Sequence, residues 1–397
     1  MSRFSILIIF SILFIKAFGI EKTEENFPAV HSLWLTAGGD YVASSIGDEV
    51  RTASENQIKV NSSLPVSVRY AFSFTNPHIR HYLPGGYQGV GVGVMNAGGL
   101  QPHGMERSTR YMGYPVLLYA FQGGPVHRFN PRLSLNYEWN FGASIGWKSY
   151  SDANRDFNLT VGSRVNAYLN LGLSLNWKLN NRTTFFGGIA ISHFSNGNTS
   201  FPNPGINAFG LRAGVIWTLN PQEGGFRPAI PDTVKRRKVE YDIMGWGASR
   251  RRLYRGGEKP VMLPGHFACA GISFAPMVRL NTWWRVGGSL DIQWDQSSDM
   301  KNNYIEGTTT EDIRFKTPSF WRQTTLGISA HGELQMPIFA VNIGCGYNFV
   351  APWENRGSYQ NISLKTYLCK NVFINIGYQL RNFHQQSNLL LGAGVTI

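Results

Sequence analysis

VNAYLNLGLSLNWKL, residues 165–179, is the stretch on which the fold turns. Val165, Ala167, Leu169, Leu171, Leu173, Leu175, Trp177 and Leu179 share one parity; Asn166, Tyr168, Asn170, Gly172, Ser174, Asn176 and Lys178 share the other. An extended strand sends alternate side chains to opposite faces, so one face here is hydrocarbon and the other is polar or small. A soluble strand alternates in the same way, but this apolar row approaches the roughly 9–11 residues that a tilted strand needs to cross a bilayer.

The pattern recurs. NAFGLRAGVIWTL (207–219) aligns Phe209, Leu211, Ala213, Val215, Trp217 and Leu219, with Arg212 on the other face. VFINIGYQL (372–380) and the terminal NLLLGAGVTI repeat it. Further strands are expected at 31–43, 66–76, 86–96, 113–122, 132–149, 184–195, 239–250, 265–279, 283–295, 321–335, 338–350 and 362–368. Turns are expected at SDANRD (151–156), Asn180–Asn181 and Cys369–Asn371. Backbone polar groups in lipid must be paired within the wall, so such strands have to close into a barrel. The expected fold is all-β, an antiparallel transmembrane β-barrel. One barrel of about 14–16 strands is favoured over a duplicated eight-stranded unit, because tandem barrels in a single chain are uncommon.

Composition agrees. Forty-four glycines and 13% aromatic residues accompany only 15% charged residues, a balance typical of membrane barrels. The first nineteen residues, MSRFSILIIFSILFIKAFG, read as a signal peptide cut near Gly19. No later run reaches the ~20 apolar residues of a spanning helix, which excludes a helical membrane protein. Cys269, Cys345 and Cys369 make no disulfide framework and are expected unpaired. The formal charge of +13 points to an anionic partner, and for an exported chain that means phosphorylated lipid before nucleic acid. Residues 220–238, NPQEGGFRPAIPDTVKRRK, carry three prolines and a basic cluster with no strand pattern, and read as a connector between 20–219 and a second strand set at 239–397. KRRK (235–238) and RRRLYR (250–255) are candidate contacts for lipid phosphates or lipopolysaccharide core, or else solvated loops. The acidic stretches lack EF-hand spacing, GGYQGVGVGV (85–94) reads as a strand rather than a phosphate loop, and no metal or organic cofactor is implied.

One strand departs from the rule that its outward row is apolar. In TTFFGGIAISHFS (183–195) the odd row runs Phe185, Gly187, Ile189, Ile191, His193, Ser195. His193 and Ser195 therefore end a lipid-facing row, their backbones roughly 6–7 Å apart. Asn207, on the outward row of the next strand, is placed to reach the same imidazole. A hydroxyl needs a base to become a nucleophile, and the base needs a partner to fix its tautomer. Ser195, His193 and Asn207 fit those roles. Asn196, Gly197, Asn198 and Asn203 in the following loop supply N–H groups suited to an oxyanion.

These residues carry a family resemblance. HFSNGNTSFPNPGINAFGL (193–211) resembles the signature of PagL-type lipid A 3-O-deacylases, outer-membrane barrels of Gram-negative bacteria that remove an ester-linked acyl chain from lipopolysaccharide. Its pattern of His, aromatic, Ser, Asn, then a Pro-Asn-x-Gly loop, is present as His193, Phe194, Ser195, Asn196, Pro202, Asn203, Pro204 and Gly205. The resemblance covers 110–219 and extends over 30–219 at most. It implies Ser195 as nucleophile, His193 as base, Asn196 and Asn203 at the oxyanion, and lipid A as substrate. Where the family has glutamate this chain has Asn207, which leaves a slower esterase, a carboxylate borrowed from elsewhere such as Glu138, or a degenerate site. A non-enzymatic pore or scaffold and a phospholipase stay open as alternatives. The second half repeats the motif region weakly: GYQLRNFHQQ (377–386) aligned on GIAISHFSNGN (188–198) puts Asn382 and His384 where His193 and Ser195 stand. Oligomeric state is not legible.

Overall fold

The computed structural model describes residues 29–44, 61–75, 77–97, 112–149, 161–197, 199–200, 205–221, 238–254, 261–263, 265–281, 283–299, 304–306, 314–315, 317–336, 339–352, 355–369, 371–383 and 385–397. The expected signal peptide, the turn at 151–156, nearly all of the connector, Asn198 and Asn203 lie outside them.

Among the described residues, sixteen strands form two closed antiparallel barrels of eight. The first comprises β1 (Val30–Ser44), β2 (Asn61–Ser73), β3 (Tyr87–Asn96), β4 (Gly113–Arg128), β5 (Leu133–Trp147), β6 (Val165–Lys178), β7 (Thr183–Ser195) and β8 (Ile206–Thr218). The second comprises β9 (Lys238–Arg250), β10 (Phe267–Arg279), β11 (Trp284–Asp295), β12 (Thr324–Gln335), β13 (Phe339–Val350), β14 (Gly357–Tyr367), β15 (Val372–Arg381) and β16 (Gln385–Thr396). The expectation of a single large barrel is thereby corrected: β8 pairs with β1, from Ser32↔Thr218 to Ser44↔Ile206, so the first sheet closes before the second begins. β16 returns to β9 in the same way. A barrel leaves no unpaired edge in lipid, and each set of eight meets that demand by itself. A six-residue helix at Pro77–Tyr82 was not expected.

In the first barrel the alternating apolar row is outward. Leu171, Leu173, Leu175 and Trp177 are exposed, as are Ile189, Ile191, Phe209 and Leu211. The opposite parity fills the lumen. Trp34 packs on Tyr87, Phe121 and Phe186 at centroid separations of 4.9–5.7 Å. Arg69 lies over the Phe121 ring, 3.8 Å from its centroid, and pairs with Glu138 at 2.6 Å. Such a charge is tolerable in the interior because it is both paired and stacked. The second lumen is ionic: Arg285, fully buried, meets Glu240, Asp242 and Glu333, while Lys365 bridges Asp242 and Glu333.

Connections differ in length at the two ends of each barrel. In the first, the β4–β5 and β6–β7 turns span only 129–132 and 179–182, with 74–86 and its short helix the exception at that end, whereas 45–60, 97–112, 148–164 and 196–205 link strands at the other end. In the second, 280–283, 336–338 and 368–371 are short, and the other end carries the long 251–266 and 296–323 beside the shorter 351–356 and 382–384. Outer-membrane barrels carry short turns on the periplasmic side and longer loops outside. Cys269, Cys345 and Cys369 are unpaired, Cys269 buried and the other two exposed.

Candidate active site

β7 ends at Ser195 and β8 begins at Ile206, so their junction lies at the long-connection end of the first barrel. His193 sits directly opposite Asn207 in the ladder. Both belong to the outward row, whose members below them, Ile191 and Phe209, are exposed hydrocarbon, while Ser192, Phe194 and Ala208 face inward and are buried. His193 Nδ1 lies 2.7 Å from Asn207 Oδ1. An amide oxygen only accepts, so Nδ1 carries a proton, which in the neutral ring leaves the lone pair on Nε2. That is the tautomer a general base requires.

Ser195 follows on the same row but is only 2% exposed. Its Oγ accepts a hydrogen bond from the Gly197 N–H at 3.3 Å. Asn196 is buried too. Its side-chain amide donates to Ser200 O at 2.7 Å, and its carbonyl accepts from the Thr199 hydroxyl at 2.8 Å. The Asn196 side chain thus braces the turn that holds Gly197 against the serine. The structure brings His193, Asn207, Ser195, Asn196 and Gly197 into one corner of the wall.

Two features escaped the sequence reading. Gly205 precedes β8 with φ +79, and a Cβ there would lie 2.8 Å from His193 Cε1. It is the floor under the imidazole, and its place in the Pro-Asn-Pro-Gly loop was its one visible signal. The other lies behind the site. Arg212 of β8 makes a two-pronged ion pair with Asp40 of β1, and its second nitrogen reaches Ser192 Oγ, beside His193, at 3.5 Å. Ser63 of β2 donates to the same carboxylate at 3.1 Å. Glu138, considered as a borrowed carboxylate for His193, faces the lumen and is committed to Arg69, with the barrel wall between it and the histidine. In the second barrel the position aligned with His193 is Asn382, which has left β15 for a left-handed turn at φ 50.

Two family models match the chain: lipid A 3-O-deacylase (PagL) over residues 67–215, and acyloxyacyl hydrolase, C-terminal domain, over 239–397. No curated protein matches. Similar solved structures include Neisserial surface protein A, at 10% identity and TM-score 0.29, covering 48% of this chain and 97% of that one. The FrpB iron transporter from Neisseria meningitidis, also at 10% identity, has a TM-score of 0.22 over 92% of this chain and 61% of its own. The toluene transporter TbuX from Ralstonia pickettii is 9% identical with TM-score 0.18, over 94% and 89%. Scores this low carry no argument, and the architecture rests on the closed ladders above. The two family matches together take in most of the chain, one within each barrel, and on them the chain belongs to the PagL family of lipid A 3-O-deacylases, hydrolases of the outer membrane.

Proposed function

We propose that the first barrel is a serine esterase that removes the 3-O-linked acyl chain of lipid A, with Ser195 as nucleophile, His193 as base and Asn207 as the group that orients it. The observation that carries this reading is the 2.7 Å contact from His193 Nδ1 to Asn207 Oδ1 on the outward face, beside Ser195, at the long-connection end. Lipopolysaccharide occupies the outer leaflet, the side on which outer-membrane barrels carry their longer connections.

In the reaction His193 Nε2 takes the Ser195 proton as Oγ bonds to the ester carbonyl carbon. The Gly197 N–H, which in the resting site bonds Oγ, then donates to the oxyanion. Collapse breaks the bond to the sugar oxygen, which takes the proton from the imidazolium and leaves. Water, deprotonated by His193, then cleaves the acyl-enzyme and frees the 3-hydroxy fatty acid. Asn207 fixes the ring and its tautomer but brings no negative charge to balance the imidazolium, so a slower reaction than a carboxylate would support is expected.

Mass spectrometry of lipid A from cells expressing the native chain or Ser195→Ala tests the proposal. Loss of one acyl chain with the native chain alone supports it. Identical lipid A in both overturns it in favour of a scaffold, and cleavage confined to phospholipids would make the enzyme a phospholipase.

A further inference from the structure

The described part of the basic run, 250–254, has no part in the reaction above. It lies at the long-connection rim of the second barrel, with other cations. Arg251 and Arg252 follow β9, His266 precedes β10, Arg322 precedes β12, Arg356 precedes β14, and Arg381 ends β15. Arg251, His266, Arg322 and Arg356 are exposed. The described acids at this rim are Asp295, Asp299 and Glu306, the last in register with Arg314. Asp295 is buried against Arg250 and Arg252, and Asp299 meets Arg322 at 3.4 Å. Arg322 is 68% exposed in that pair, which adds little at such a position. Among the described residues, seven arginines against three acids leave the rim with a surplus of positive charge.

The same rim holds aromatic side chains far out of the protein. Trp321 is 80% exposed, Phe383 72% and Phe320 57%. Phe320 and Trp321 share a 3-10 turn, Phe320–Gln323, where Phe320 stacks on Trp294 at 6.4 Å. Below them the outward wall is apolar: Leu290 and Ile292 on β11, Tyr347 and Phe349 on β13. Exposed rings are unfavourable in water but are the norm at a membrane–water boundary. Arginines beside them, over a hydrocarbon wall, match an amphiphile with acyl chains below and an anionic head above. Guanidinium groups bind phosphate through paired N–H donors.

We propose that this rim binds the phosphorylated headgroup of an outer-leaflet glycolipid, at a site separate from the proposed ester-cleaving site of the first barrel. The second barrel thus holds lipopolysaccharide against the protein without cleaving it. None of its residues takes part in the esterase reading, and the proposal stands or falls apart from it.

Native mass spectrometry of the full chain carrying Ser195→Ala, released from detergent with bisphosphorylated lipid A, counts the bound lipids. The expected result is one fewer lipid A on the additional triple variant Arg251→Gln, Arg322→Gln, Arg356→Gln. With dephosphorylated lipid A the two chains should hold equal numbers. Heat-modifiable gel mobility checks that the variant is folded. Should it not fold, the phosphorylated and dephosphorylated lipids are compared on the unaltered rim, where equal counts overturn the proposal. Equal counts of bisphosphorylated lipid A on the folded variant and its parent also overturn it. So does phosphatidylglycerol bound in the same number with the same loss on the variant, because the rim would then read charge and not a glycolipid.

Discussion

At the residue scale the site depends on what stands opposite His193. The alternation from Phe185 to Ser195 gives His193 the parity of the outward row, and the ladder sets Asn207 opposite it, whereas Ser195, of the same parity, is buried. Asn207→Glu restores a carboxylate that both orients the ring and stabilises the imidazolium, so kcat should rise by about tenfold or more. Initial rates on lipid A in mixed micelles check this, and an unchanged or lower rate would mean that the amide is not limiting. Gly205 could not be read in the same way, because its importance lies in a positive φ and in its distance from the imidazole, neither of which alternation encodes. Gly205→Ala should push the ring from its place and cut kcat by roughly 10²-fold, as a misplacement of about an ångström does, while leaving gel mobility that of a folded barrel. A variant that instead loses the folded band would make Gly205 a requirement of the turn alone.

At the element scale the question is what holds β7 and β8 in position behind the site. Asp40 and Arg212 lie diagonally across the seam where β1 meets β8, and each faces a glycine: Arg212 is opposite Gly38, Asp40 opposite Gly210. A Cβ on Gly38 would fall 2.6 Å from the guanidinium, and one on Gly210 would collide with the carboxylate. The two glycines make room for an ion pair that spans the closing seam and touches Ser192, next to the histidine. Arg212 was visible as the charged member of an otherwise apolar strand; its partner, 172 residues away, was not, because the pairing follows from barrel closure. Removing one member leaves the other charge buried alone. Asp40→Ala should therefore cost about 3–5 kcal/mol, and the double variant Asp40→Leu, Arg212→Leu should cost less than the single one. Urea unfolding followed by gel mobility measures both. A double variant less stable than Asp40→Ala would show that the pair stabilises the seam beyond compensating its own burial.

At the scale of the whole molecule, all sixteen strands were legible and their partition was not. Alternation tells a strand which face is wet, but it is the same in every strand and does not say where the first meets the last. Closure is a statement about register between segments far apart in sequence, Val30–Ser44 with Ile206–Thr218, and no local pattern encodes it. The loss of strand pattern after Leu219 did mark the place, since β8 ends at Thr218 and β9 starts at Lys238. The consequence is testable. Every ladder of β1–β8 pairs with another strand of the same eight, and the aromatic cluster around Trp34 and the ion pairs Arg69–Glu138 and Asp40–Arg212 are complete within them. The proposed site draws on β7, β8 and their connection alone. Residues 27–231, the compact unit that contains this barrel, should then fold when exported alone, show heat-modifiable mobility, and deacylate lipid A within about tenfold of the full chain. A folded but inactive fragment would mean that the second barrel supplies part of the chemistry, and a site built from Ser195, His193 and Asn207 alone would be insufficient.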